Sequence, residues 1–405
     1  VRVILQPTSF DPGQILVTSY RDGGMSAVPD SELVPAATAL PLVSESGLGA
    51  FDADALRKRL SGTLAHVGGA IGPYGEGVWG QAPPKDLTTL FQLLYLEFTA
   101  PRLDSAVFRH YESQLREALA HRAASPEAAF EDTLALLLAD HSPRVRVLDT
   151  TYVRALDAAK SLAFFRSRFA DATGFTFVIV GAFDRDSIRP LVARYLGGLP
   201  ASGGWGRWRD TGERPPSGIT VRVVRKGTEP KAALALVFHG RAETSLRERV
   251  LLRALADVLQ QRLWEELRET LGGVYGVSVT AEQEAVPVPE YRLTVRFGAD
   301  PERIEGLRRE VFAQVSRLEA DGPTAVELEK FREAARRERE TAARTNAFWL
   351  QTIALYDQRG WDFEGLGDDD RIADTITPSD VREAARRYLD LSRYVQVMLL
   401  PEDER

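Results

Sequence analysis

With 405 residues, 44% of them hydrophobic, the chain is long enough to bury sizeable cores and, by length, to form two or more domains. Its 51 basic against 58 acidic residues leave a net charge of −7, and no basic run interleaves with aromatics, which excludes nucleic acid as a partner. The absence of cysteine excludes disulfides, thiolate nucleophiles and Cys-based metal sites, and no apolar run reaches the roughly 18 residues of a membrane span.

The start at Val1, directly in the strand-like VRVIL and without an initiator Met, reads as an excerpt or a processed product. Residues 1–5 and 14–20 read as short strands joined by a turn at Asp11-Pro12-Gly13. A helix follows over 32–44, with Asp30 or Ser31 as cap, Pro35 in its first turn and a kink at Pro41, and a shorter one over 52–60. Segments 63–69 and 74–79 form a glycine-rich hairpin; 87–98, 105–122, 126–138 and 157–169 are helices; 175–181 (FTFVIVG) is a buried strand backed by a helix over 187–196.

The stretch 201–218 (ASGGWGRWRDTGERPPSG) has a linker's composition, and after it the pattern restarts. Strand-like 219–225 and 232–239 echo the two N-terminal strands and again precede a long helix. The second half continues with a hairpin over 274–285 and 291–297, helices over 304–318, 325–356 and 378–389, and a closing strand over 394–400. The expected architecture is therefore α+β: two related domains, 1–200 and 219–405, each a mainly antiparallel sheet packed against helices on one face.

The segment LLRALADVLQQRLWEELRETLGGVYGVSV, 251–279, carries the candidate site. Apolar Leu251, Leu255, Val258, Leu259, Leu263 and Leu267 recur at helical spacing, Gly272-Gly273 ends the helix, and Tyr275, Val277 and Val279 alternate as a strand. Arg268 in the last helical turn and Tyr275 at the strand start could together donate to a carbonyl or a developing oxyanion. On local grounds alone, Arg in a last turn also suits the helix dipole and Tyr is a good strand former.

The Arg and Tyr of LRETLGGVY resemble the signature of the non-catalytic half of pitrilysin/insulinase-type zinc peptidases, the inverzincins. FTFVIVGAFDRDSIRPLVARYLGGLP (175–200) is similar to the close of that family's first domain, and TPSDVREAARRYL (377–389) to its closing helix. LFQLLYLEFTAPRLD (90–104) resembles the second half of bacterial periplasmic members whose single chain carries both halves. The resemblance implies that Arg268 and Tyr275 lie across a closed chamber from the zinc and hydrogen-bond the peptide near the scissile bond.

The family's catalytic motif, H-x-x-E-H on a helix with a distal Glu as third ligand, is absent. Of the histidines at 66, 110, 121, 141 and 239, none is four from another, and the expected helix in the first domain, AATALPLVSES, offers only Glu45. Neither Glu112 nor Glu117, on the later helix, is assigned to the distal position, since without its partners such a Glu reads as a solvated helical charge. His110 and His121 would stand about 16 Å apart along one helix, too far to share a zinc ligated at about 2 Å. No G-x-S-x-G elbow and no phosphate-binding glycine fingerprint occurs.

The resemblance thus implies the non-catalytic half of a zinc metalloendopeptidase: no metal or cofactor in this chain, and zinc in an H-x-x-E-H partner half, in the same polypeptide or a separate subunit. Its substrate would be a peptide or small unfolded protein and its compartment the periplasm, with isolated-chain inactivity expected. The alternative is a non-enzymatic peptide-binding or assembly-scaffold protein of the same fold.

Overall fold

The computed structural model describes residues 1–402 other than Trp205 and Gly273; the side chains of Glu269, Thr270 and Tyr275 lie outside that description. The strands are β1 (Arg2–Pro7), β2 (Ile15–Asp22), β3 (His66–Ile71), β4 (Gly75–Ala82) and β5 (Thr176–Gly181), then β6 (Ile219–Arg225), β7 (Ala232–Arg241), β8 (Val274–Glu284), β9 (Glu290–Ala299) and β10 (Tyr394–Leu400). Among the first-half helices are α1 (Leu33–Ser44), α2 (Ala53–Arg59), α3 (Leu87–Thr99), α4 (Ser105–Arg122), α5 (Pro126–Leu138), α6 (Thr150–Arg154), α7 (Ala158–Phe169) and α8 (Arg185–Leu191). After them come α9 (Leu246–Leu263), α10 (Ile304–Asp321), α11 (Ala325–Ala342), α12 (Asn346–Arg359), α13 (Asp369–Thr375) and α14 (Pro378–Tyr388).

The strands form two five-stranded sheets, β1-β5-β2-β4-β3 and β6-β10-β7-β9-β8, with the same order position for position. In each, the last strand slots between the first two, parallel to the first and antiparallel to the second, while the remaining pairs are antiparallel. A strand in that place is covered on both faces, so β5 is buried at every residue and reads as an unbroken apolar run. The result is two related α+β domains, each a mainly antiparallel sheet packed against helices.

Two compact units carry these sheets, and neither is contiguous in sequence: the first comprises Val1–Leu119, Leu148–Thr211 and Glu340–Leu366, the second Ala120–Val147, Gly212–Arg339 and Gly367–Arg405. In the first, Phe91, Leu94 and Phe98 of α3 and Phe165 and Phe169 of α7 pack on Ile15, Val17, Phe177 and Ile179. In the second, α9, α10 and α14 bury Leu255, Leu259, Val311, Val315 and Tyr388 against Leu234, Leu236, Leu293 and Val295.

Coverage on one face only, as the sequence suggested, needs correction, because each sheet also has a helix on its other face. Ile353 and Ala354 of α12 pack against Val178 and Val180 of β5. Phe130, Leu134 and Leu137 of α5 pack against Ala235, Val237, Val395 and Val397. The expected single helix over 325–356 is two: the chain breaks after Ala342, and the Thr345 hydroxyl accepts the Phe348 N–H at 3.3 Å to cap α12. A Thr that can satisfy a free N–H at a new start favours the break over continuation.

A buried ion pair fixes the first unit. Arg21 is 5% exposed and Glu76 4%; the Arg21 Nε donates to Glu76 at 2.9 Å, its Nη1 donates to the Asp171 carbonyl at 2.6 Å, and the guanidinium lies 4.3 Å from the Phe175 ring centroid. The other Glu76 oxygen accepts the Gly24 N–H. Both charges are fully partnered, which a buried pair requires.

Candidate functional site

Ser245 caps α9 by accepting the Glu248 N–H, and the apolar stripe expected from the sequence, Leu251, Leu255, Val258, Leu259, Leu263 and Leu267, is buried throughout. That burial anchors one face of the helix and leaves the other, with Gln260, Trp264 and Arg268, toward solvent or the neighbouring strand. The last turn departs from the expected α-helix: Trp264–Thr270 is a π-helix, with the Leu271 N–H bonding the Glu266 carbonyl at 3.0 Å. Such wide turns are rare and concentrate at functional sites.

Gly272, at φ +58°, then stops the helix in the left-handed region that favours glycine. Arg303 holds the stop by donating to the Gly272 carbonyl at 3.0 Å and to that of Leu271. Without it, two helix-end carbonyls would lack those donors.

Arg268 is exposed, and its guanidinium carbon sits 4.2 Å from the Trp264 ring centroid. Attraction to the indole face helps set the position of the cation. Trp264, together with Gln260, Gln261 and Glu265, lines a hollow of about 380 Å³.

Strand β8 begins with an irregularity. Val274 pairs with Ala299 and Gly276 with Gly298, so the pairing register shifts by one residue at Tyr275, as in a β-bulge. The Tyr275 side chain lies outside the described residues. Arg268 and Tyr275 therefore stand on consecutive elements joined by a tight stop, and both elements depart from regular geometry at those residues.

Gln260, Trp264 and Arg303 were not singled out from the sequence. The four-residue spacing of Trp264 and Arg268 was a legible signal for the stack. The long-range contact of Arg303 left none.

A zinc site of the kind the family resemblance implies needs converging His and carboxylate side chains. Helix α1, where the ligands would sit, buries Val34, Ala36, Thr38, Ala39, Leu42 and Val43 and has no histidine; Thr38 spends its hydroxyl on the Val34 carbonyl at 3.0 Å. Glu45 and Glu117 are exposed and Glu112 pairs with Arg116 at 2.6 Å. His66, His110, His121 and His141 are exposed. His239 is buried at 5% exposure, and burial together with Arg393 and Arg292 pushes its imidazole down to about 4. Among the described residues no three His, Asp or Glu side chains converge, so the residues present do not fit a zinc site. Among the same residues, no helix is long and apolar enough to cross a membrane.

Residues 155–335, which include Arg268 and Tyr275, match the peptidase M16 inactive domain. A zinc protease PQQL-like protein of Arabidopsis thaliana is 24% identical over an alignment that takes in 100% of this chain but 43% of the relative, so the chain spans under half of that protein's length. The crystal structure of the periplasmic protease PqqL from Escherichia coli superposes with a TM-score of 0.85 at 20% identity, over 96% of this chain and 43% of that one. The peptidase M16 inactive domain from Pseudomonas fluorescens superposes with a TM-score of 0.81 at 16% identity, over 99% of this chain and 96% of that one. Residues 155–335 are thus similar to the inactive domain of the M16 peptidases, and nearly the whole chain shares the fold of such a domain.

Proposed function

We propose that this chain is the non-catalytic half of a zinc metalloendopeptidase, one that closes the proteolytic chamber and holds the substrate carbonyl next to the scissile bond through Arg268 and Tyr275. The carrying observation is the π-turn and bulge that flank the helix stop, with Arg268 exposed and set against Trp264. Rare backbone geometry at two adjoining elements is costly to keep and is kept where it positions something.

In this reading a partner half bearing H-x-x-E-H, in the same polypeptide or as a separate subunit, supplies the zinc and the general base. This chain would supply positioning and electrostatic stabilisation, with the Arg268 guanidinium and the Tyr275 phenol as donors to an oxygen that gains negative charge. The substrate would be a peptide or small unfolded protein. The chain would divide by sequence into 1–200 and 219–405, joined by 201–218, and the likeness to a periplasmic protease supports the periplasm as its compartment.

The test is Tyr275→Phe in the complete enzyme. Loss of one hydrogen-bond donor to a developing oxyanion should reduce kcat/KM by roughly ten- to a thousandfold, with zinc content unchanged. Full turnover in that variant would remove the claim and favour a peptide-binding or scaffold role for the same fold.

A further inference from the structure

Strand β8 pairs with β9 on one side and lies at the end of its sheet. An edge strand turns alternate N–H and C=O groups outward, away from its one neighbour. Two of these groups are taken by a side chain: Gln260 donates its Nε2–H to the Val277 carbonyl at 2.9 Å, and its Oε1 accepts the Val279 N–H at 2.6 Å.

One donor and one acceptor, bonded to residues on either side of Ser278, reproduce what a single residue of a parallel neighbouring strand would present. The carboxamide therefore acts as a one-residue strand, and at these two groups the edge is closed to strand addition. The anchored residues begin two positions beyond the bulged Tyr275. Gln260 also stands four residues before Trp264, which in turn stands four before Arg268, so one line of side chains along α9 and the π-turn serves both the strand and the guanidinium.

We infer that Gln260 is a positioning residue for the Arg268/Tyr275 pair: its carboxamide locks the start of β8 to α9 and so fixes the strand bearing Tyr275 relative to the turn bearing Arg268. This inference rests on the role proposed above for the pair. Gln260 itself touches no reacting atom; it acts through the backbone of Val277 and Val279.

Two variants and two readouts test it. In this chain, Gln260→Leu should speed hydrogen exchange of the Val279 amide by about tenfold or more, whereas Gln260→Glu, which keeps the acceptor and loses the donor, should leave that amide protected. In the complete enzyme, Gln260→Leu should lower kcat about tenfold with KM little changed, and Gln260→Glu should recover part of the loss. A merely structural contact would instead lower the thermal midpoint without splitting kcat from KM or distinguishing the two variants. Unchanged Val279 exchange in Gln260→Leu overturns the inference. So does full turnover in Gln260→Leu alongside an impaired Tyr275→Phe, while an unimpaired Tyr275→Phe overturns the role of the pair itself and takes the positioning claim with it.

Discussion

Glu97 on α3 is 9% exposed, sits beside Leu93, Leu94 and Phe98 in the apolar core of the first unit, and has no hydrogen-bond or ion-pair partner among the described residues. Burial alone pushes its carboxyl from 4.5 up to about 7. The folded chain thus keeps a proton that the unfolded chain releases, and stability must fall as pH rises between 4.5 and about 7, levelling off above that window. At about 1.4 kcal/mol per pH unit, the shift removes about 3 kcal/mol by pH 8. Glu97→Gln abolishes the ionisation with little change of volume. It should therefore unfold as the parent does near pH 4 and be more stable at pH 8 by up to about 3 kcal/mol, or roughly 6–12 °C in the thermal midpoint of a domain of this size. Thermal and urea unfolding at the two pH values would measure the difference. A variant and parent that keep a constant gap from pH 4 to pH 8 would refute the reasoning, since only an ionisable group can make the gap depend on pH.

His239 predicts the opposite slope in the second unit. Its imidazole is held down from 6.5 to about 4, so the unfolded chain binds a proton first and stability is lost as pH falls between those values, by up to about 3 kcal/mol. His239→Gln should flatten that acid limb, and urea midpoints at pH 5 and pH 7 that keep the parent's difference would count against it. Arg21→Met should cost about 3–5 kcal/mol by stranding the Glu76 carboxylate in a buried site, whereas the double variant Arg21→Met/Glu76→Leu should recover most of it. A single variant within about 1 kcal/mol of the parent in urea unfolding would show that the pair contributes little.

The candidate site was legible in part because its signal is local. Arg268, the helix stop and the strand after it lie within a dozen residues, and apolar spacing from Leu251 to Leu267 placed the helix correctly. The π-turn and the bulge were not legible, since each adds one residue to a regular period and the side-chain pattern on either side survives the insertion. Gln260 and Arg303 escaped for a different reason: their partners are backbone atoms 17 to 32 residues away, and a backbone carbonyl leaves no mark in composition. The break at Thr345 was missed because helical periodicity runs through it, although the capping residue itself stands in the sequence.

By itself the sequence determined most of the elements, the repeat and which catalytic motifs are missing. Period-two and period-3.6 patterns are properties of neighbouring residues, the echo of VRVIL in ITVRVVR needs no folded context, and missing histidine pairs cannot be restored by folding. Only the tertiary structure decided which helix covers which sheet. Helices α5 and α12 are each apolar along one side, yet α5 packs on Val237 and Val397 of the second sheet and α12 on Val178 and Val180 of the first. An apolar stripe states that a helix must be covered and says nothing of by what, because hydrophobic burial is non-directional. The choice falls to shape, loop reach and the last strand of each unit, which enters the middle of its sheet and creates the second apolar face that such a helix can fill.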